Sequence, residues 1–583
     1  MSSAAYAGVG AVWAVNDGER VDRDDLANAN KKANSVWDGQ KIRLFAARNE
    51  VVAFQVITES DDQGIKQLSA ALPELAGPDG KARIAYAPPR EDPTDYVGRP
   101  IQVFTAHYIE VKKPTNCKWI YELGSPAAPP KPTGWKGEIL VPENARAGRG
   151  GFPLTVPANS SQSIWFEIYT AKNLPAGLYK GTVTLTIDDA KKELPVELEV
   201  LDFTLPDQNS MKAMLYFEGD QVELYQGRNF DDRYHRFAHR QRVEFVERYD
   251  VERAKQLMGR FDGKAFSAAN HYEGPGENTG NVIIPASFYG TGPAYETADG
   301  AHKASDEWMS FINATLPKTT TFLYLPDEPR PRDFPKILEL GQNVHGGAGP
   351  GAKLPTFVTH SVIEGIAPAV DIWCVPTETY DPVKSAAQRQ AGKQVWVYNG
   401  KRPAAGAPVY DCPATDIRAT IWGCFKYEIP LYFYWHSDHW QHNSQKPTNR
   451  EQNVWLDSVT FDNRKQDDPQ DAGAANGDGV LLYPGQEKLH PDQDRGIAGP
   501  CGSVRLVNLR RGLQDHLYLT LAKQLKQDAT VTECVNSVTG RMFKEAGTTV
   551  EFAQTGNEFE AARLKLAKAI VAAQAASRPA EKK

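Results

Sequence analysis

The hydrophobic rhythm of the chain changes once, at Leu205-Pro206-Asp207, and that change limits the folds open to it. Before it, apolar and polar residues alternate. Ile164, Phe166 and Ile168 interleave with Trp165, Glu167 and Tyr169; Val183, Leu185 and Ile187 with Thr182, Thr184 and Thr186; Val196, Leu198 and Val200 follow Pro195. A period of two puts successive side chains on opposite faces of a strand, so these segments read as half-buried antiparallel strands. Turns such as Leu174-Pro175-Ala176-Gly177 punctuate them. Short strands of this kind predict an N-terminal antiparallel β-sandwich over residues 1–208.

Beyond the boundary the apolar residues come in unbroken runs: Ala213 to Phe217, Thr321 to Leu325, Thr356 to Thr359, Asp371 to Val375, Val395 to Tyr398 and Leu431 to Trp435. Runs of this type suit parallel strands buried on both faces. Their alternation with helical and loop segments predicts a (β/α)8, TIM-like barrel over residues 209–583. The long connections Gly263 to Thr297 and Trp440 to Gly479 are expected to cover one of its faces. Leu506, Leu509, Leu513, Leu517 and Leu521 keep helical spacing, as do Phe559, Ala562, Leu566, Ala569 and Ala573, which predicts C-terminal helices packed on the barrel. Ser577 to Lys583 reads as a polar tail.

A chain of 583 residues exceeds the usual domain of about 100–200, which agrees with two units. Lys and Arg number 66 against 73 Asp and Glu, a net charge of −7 with no basic stripe, so no nucleic-acid partner is expected. No apolar run reaches the ~18 residues of a membrane span. Met1 to Val15 lacks a basic leader and runs into Asn16-Asp17-Gly18, which reads as a first strand and not a signal peptide. Cys117, Cys374, Cys412, Cys424, Cys501 and Cys534 contain no CxxC pair, and most of them read as buried thiols. The aromatic content (12 Trp, 23 Tyr, 23 Phe) suits cores and sugar-stacking surfaces alike.

The sharpest local feature is Thr321-Phe322-Leu323-Tyr324-Leu325-Pro326-Asp327-Glu328-Pro329, an apolar strand ending in two adjacent carboxylates. Carboxyl ends of barrel strands are where such folds carry their chemistry. Two acids there can divide the work, one staying ionised and one exchanging a proton.

These residues resemble the catalytic domain of glycoside hydrolase family 123 and related bacterial proteins. The resemblance extends, in order, through Ser35-Val36-Trp37-Asp38-Gly39, Leu44 to Gln55, Leu325 to Pro329, Val370 to Trp373 and Val395 to Asn399. Toward the end come Gly477-Asp478-Gly479, Leu482 to Gly485, Arg505-Leu506 and Leu509 to Asp515. It implies a retaining exo-β-glycosidase that removes terminal β-linked N-acetylgalactosamine, with the substrate's acetamido group as nucleophile and an oxazolinium intermediate. Glu328 would be the general acid/base and Asp327 would orient and polarise the acetamide. Family 123 would then stand among the substrate-assisted exceptions to the two-carboxylate rule. The resemblance also implies export and no cofactor.

Other residues near strand ends are candidates for the sugar pocket: Thr359 and His360, Glu378 and Tyr380, Tyr398 and Asn399, Trp435 and His436, and Tyr289 in the long loop, with His271, Tyr272 and Glu273 as weaker ones. Hydroxyl recognition needs forked polar groups beside an aromatic face. The segment His436-Ser437-Asp438-His439-Trp440-Gln441-His442 is expected to face substrate and not to hold a metal, since no Cys or Glu partner stands near it in sequence. Asn476-Gly477-Asp478-Gly479 lacks the ligands of a calcium loop and reads as a tight turn. Two other readings stay open: the same scaffold acting on a glycoside without a 2-acetamido group, and a carbohydrate-binding protein without turnover. The oligomeric state is left open.

Overall fold

A computed structural model of the chain describes residues 8–442, 450–464 and 472–577. The first sheet of the sandwich has the strand order Val9–Asn16, Glu50–Ser60, Ser161–Thr170, Ile101–Val111, Gly134–Pro142, Pro500–Ser503, Leu482–Pro484, all antiparallel. The second is built on Ile42–Arg48, Ala190–Thr204, Gly177–Ile187, Ile65–Ala71 and Leu154–Val156. Ile42–Arg48 runs parallel to Ala190–Thr204, so the second sheet is mixed and not purely antiparallel as expected. The alternating residues of both sheets close one core, in which Phe54 and Phe166 stack with centroids 5.0 Å apart.

The first sheet departs from the half-buried pattern: along Ser161–Thr170 nearly every residue is buried. Ile164, Phe166 and Ile168 fill the sandwich, while Trp165 packs against Val504 and Val507. Those valines belong to the helix Val504–Gln524, which lies against the sheet's other face. Alternation signalled two distinct environments, and both are interior.

The second half is built around a seven-stranded parallel sheet, ordered Glu244–Val246, Lys212–Tyr216, Leu431–Tyr434, Gln394–Tyr398, Ile372–Pro376, Thr356–Thr359, Leu323–Tyr324. Both edges of this sheet meet the same stretch, residues 282–286. The Ile284 and Ala286 amides donate to the carbonyls of Thr320 and Phe322 at 3.0 and 2.8 Å. On the other side Glu244 Oε2 accepts from the amides of Val282 and Ile283 at 2.8 and 2.9 Å. Met214, Tyr216, Val246, Ile283, Phe322, Tyr324, Phe357, Trp396, Tyr398 and Phe433 form one enclosed cluster, and the residues between them face the helices. Glu244–Val246 and residues 282–286 escape the sequence pattern, being short and interrupted by Glu244 and Pro285.

The helices Val504–Gln524 and Gly556–Ser577 match the spaced leucines and alanines. The first is buried all round, arginines included. Arg511 bonds Glu50 and Glu560 at 2.9 and 2.8 Å, Arg418 bonds Asp515 and Glu560 at 2.6 and 3.0 Å, and Arg563 joins Glu50 to Glu560. Burial would push Glu560 up, but Arg511, Arg563 and Arg418 overwhelm it and hold its carboxyl far below the usual range. Arg505 and Arg510 reach Glu138 and Glu167 of the first sheet at 2.6 and 2.7 Å. All six cysteines are buried and unbridged, and no described helix is long and apolar enough to cross a membrane.

Candidate active site

The strand Leu323–Tyr324 delivers Asp327 and Glu328 to its carboxyl end, where both are exposed. Glu328 has φ 42°, a left-handed conformation that costs a non-glycine residue about 1–3 kcal/mol and persists only when its surroundings fix it. Thr359, the last residue of the neighbouring strand, supplies that constraint. Its Oγ1 accepts from the Glu328 amide at 3.0 Å and donates to Asp327 Oδ1 at 2.7 Å. The Tyr324 hydroxyl also donates to Oδ1, at 2.6 Å. Oδ2 of Asp327 takes no hydrogen bond from the described residues. On the other side the Tyr398 hydroxyl donates to Glu328 Oε1 at 2.7 Å. Burial, reinforced by the neighbouring carboxylates, pushes the Tyr324 and Tyr398 phenols well up, so both stay protonated donors.

A third carboxylate is held the same way. Glu218 follows the strand Lys212–Tyr216, and the Tyr216 hydroxyl donates to its Oε1 at 3.0 Å. His436 stands behind it, Nε2 at 3.6 Å from Glu218 Oε2 and Nδ1 at 3.3 Å from Asp438 Oδ1. Burial would lower His436, but Asp438 and Glu218 outweigh it and raise the imidazole to about 9. Burial likewise opposes ionisation of Glu218, and His436 with Tyr216 and Gln221 brings it down to about 2. Sequence reasoning chose His436 and missed Glu218. The structure buries the histidine and leaves the glutamate part-exposed, with 4% and 30% of the side chains accessible.

Tyr289 lies between the two acidic groups. Its ring is 4.9 Å from that of Tyr216 and 5.5 Å from that of Tyr324, and its hydroxyl donates to the Trp435 carbonyl at 2.5 Å. Trp435, half-buried, is fixed on three sides. Asn399 Oδ1 accepts from its amide at 3.2 Å, Asp478 Oδ1 accepts from Nε1 at 2.9 Å, and Gly479 lies under the ring. A Cβ on Gly479, which has φ 74°, would come 2.5 Å from Trp435 Cζ2. The tight turn 476–479 therefore has a particular task, seating an aromatic ring.

Tyr398, Asn399, Trp435, His436 and Tyr289 are thus gathered around the pair or one residue behind it. Three other candidates are placed elsewhere. Tyr380 packs with Tyr427 and Phe543 in the core outside the parallel sheet, because the short 3-10 turn Thr377–Thr379 carries it outward. Glu378 lines an open cavity of about 310 Å³ with Ser361, Val362, Thr379, Asp381 and Lys544, and none of Asp327, Glu328 or Trp435 borders it. His360 Nδ1 turns to the Ser361 carbonyl at 2.7 Å, with Phe334 against its ring. His271 and Glu273 bind the sandwich, at Asp95 and the Gly98 amide, and Tyr272 packs on Tyr96. They anchor the long loop that carries Tyr289. His436 and His439 have ring centroids 5.1 Å apart, and the His442 side chain lies outside the described residues. Among the described residues no His, Cys, Asp or Glu cluster is arranged to hold a metal ion.

A parallel sheet with its polar groups gathered beyond the carboxyl ends of the strands is the α/β arrangement in which ligands bind at that end. The chain is similar in fold to a family 123 glycoside hydrolase from Clostridium perfringens, a protein described for glycolipid glycan hydrolysis. The TM-score is 0.60 at 10% identity, over 96% of this chain and 97% of that one. A β-glucuronidase of Parabacteroides merdae superposes with a TM-score of 0.25 at 9% identity, over 81% of this chain and 50% of that one, too loosely to carry an argument. No family model and no curated protein sequence matches the chain.

Proposed function

We propose that the protein is a retaining exo-β-glycosidase that removes a terminal β-linked N-acetylhexosamine, N-acetylgalactosamine first, by substrate-assisted catalysis. The observation that carries this reading is the unequal anchoring of the two acids. Asp327 is tied by two hydroxyls through one oxygen, so its other oxygen can accept from an acetamido N–H. Glu328 is turned the other way by its φ of 42° and by Tyr398. The fold likeness to a family 123 enzyme supports the glycosidase class. In the architecture that goes with this reading, residues 282–286 supply the eighth strand of a (β/α)8 barrel.

In the first step Glu328 gives its proton to the glycosidic oxygen while the acetamido carbonyl oxygen attacks C1. The C1–O bond breaks and an oxazolinium ion forms, its N–H held by Asp327. In the second step Glu328 takes a proton from water, whose oxygen attacks C1 and reopens the ring. Two inversions give retention. Because the nucleophile belongs to the substrate, adjacent acids suffice and the usual carboxylate spacing does not apply. Trp435 would offer the apolar face of the site.

The test is release of nitrophenol from the β-N-acetylgalactosaminide, β-N-acetylglucosaminide, β-galactoside and β-glucoside by wild type, Asp327→Asn and Glu328→Gln. Turnover of the acetamido substrates, lost by at least about 100-fold in each variant, supports the reading. Preference for substrates without the acetamido group removes the oxazolinium step. Turnover that neither substitution affects removes the assigned roles.

A further inference from the structure

We infer that Glu218 is a substrate-binding residue that fixes the specificity of the site, accepting hydrogen bonds from the sugar hydroxyls at C4 and C6. This rests on the glycosidase reading and adds to it a contact on the far side of the ring.

The argument starts from a repeated arrangement. Tyr216, Tyr324 and Tyr398 stand in the enclosed aromatic cluster at the carboxyl ends of three strands. Each points its hydroxyl at one carboxylate just above, Glu218 at 3.0 Å, Asp327 at 2.6 Å and Glu328 at 2.7 Å. Two members of the set are the acids assigned to the reaction. The third has further ties of its own: the Glu218 amide donates to buried Asp438 at 3.2 Å, His436 lies at 3.6 Å, and Gln221 Nε2 donates to Oε2 at 3.4 Å. Although tied to Tyr216, Gln221 and His436, the Glu218 side chain still keeps 30% of its surface accessible at the mouth of the site. Gln221, itself buried, keeps its Oε1 without a hydrogen-bond partner among the described residues, so the cluster has acceptor capacity left over.

Position suggests which hydroxyls. Tyr216 and Tyr324, which hold Glu218 and Asp327, both pack on the ring of Tyr289, whose phenol is raised by burial and by Asp327, Tyr216, Glu328 and Glu218 together. In a pyranose with C2 at Asp327 and C1 at Glu328, the atoms across the ring are C5, which carries the C6 hydroxyl, and C4. An ionised carboxylate is an acceptor only and suits two hydroxyl donors. His436 and Tyr216 are then positioning residues, acting through Glu218. The C4 hydroxyl is the one that distinguishes galacto from gluco configuration, so Glu218 would govern that choice.

The experiment pairs Glu218→Gln and Glu218→Ala with the nitrophenyl β-N-acetylgalactosaminide, its gluco epimer, and the 4-deoxy and 6-deoxy analogues, with the melting temperature of each variant as a folding check. The expected result is a 10- to 100-fold fall in kcat/KM for the variants on the parent substrate, carried mainly by KM, and a narrowed galacto-to-gluco ratio. A deoxy analogue should cost wild type about what the variant loses, and the two losses should not add. Full additivity, or an unchanged epimer ratio in a folded variant, overturns the role of Glu218 while leaving the glycosidase intact. A wild type that turns over no β-N-acetylhexosaminide overturns the function itself and this contact with it.

Discussion

The hydroxyl of Tyr398 donates to Glu328 Oε1 at 2.7 Å, although the two residues are seventy positions apart in the chain. The contact joins the ends of two strands that are not neighbours in the sheet, so the barrel-like packing is what sets the direction of the acid. A hydrogen bond to a charged group is worth about 1.5–3 kcal/mol. Tyr398→Phe should therefore lower kcat by about 10- to 100-fold with little change in KM. Steady-state kinetics on the preferred nitrophenyl glycoside checks this, and a pure KM effect would contradict it.

Thr359 serves both acids with one oxygen. Thr359→Val keeps the shape but removes the acceptor for the Glu328 amide and the donor to Asp327, and activity should fall by about 100-fold or more. Thr359→Ser should recover most of it. Equal losses in the two variants would mean that the methyl group, and not the hydroxyl, matters.

Gly479 has space for no side chain beneath Trp435. Gly479→Ala should displace the ring, shift the tryptophan emission and raise KM several-fold, with a smaller change in kcat. Normal KM with a displaced ring would remove Trp435 from the substrate surface.

The pH dependence of stability follows from Glu218, His436 and Asp438. His436 is raised from 6.5 to about 9, so its contribution is complete below pH 6.5 and is lost as pH climbs toward about 9. Glu218 is lowered from 4.5 to about 2, so its contribution is present above pH 4.5 and lost as pH falls toward about 2. Asp438, raised by burial to about 6, works against folding once it ionises. The melting temperature of wild type should exceed that of His436→Gln most between pH 4.5 and 6.5, with the gap narrowing toward pH 9. A constant gap across that range would exclude a charged His436.

Arg511 joins two sandwich acids, Asp17 and Glu50, to Glu560 near the C-terminus. Removing one member of a buried ionic group strands its partners and costs about 3–5 kcal/mol. Arg511→Met should unfold at markedly lower denaturant concentration, and an unchanged midpoint would show that the network relaxes without cost.

The sequence showed most of the frame and part of the site, for identifiable reasons. Thr356–Thr359 and the stretch ending at Glu328 were legible because an apolar run followed at once by acids or hydroxyls marks a strand end. Glu218 satisfies the same rule directly after Phe217, but a single acid draws less attention than a pair. Tyr216 and Tyr324 stand within apolar runs that read as buried strands, and Tyr398 read as a pocket residue; only three dimensions reveal that all three hydroxyls point at carboxylates. Tyr380 was misplaced because a three-residue turn reverses the direction of a side chain without altering the hydrophobic pattern. Arg505, Arg510 and Arg511 carry no sequence signal of their role as clamps, since the acids they hold, Glu138, Glu167 and Glu50, lie hundreds of residues away.

The sequence division at 208 meets a sheet that does not respect it. Pro500–Ser503 lies beside Gly134–Pro142 in the first sandwich sheet and Leu482–Pro484 beside Pro500–Ser503, so that sheet is unfinished until residue 503 has been synthesised. A fragment ending at 208 would present Gly134–Pro142 as a naked edge, open to pairing with other copies. The two halves of the chain therefore share one sheet, and neither half carries all of its strands.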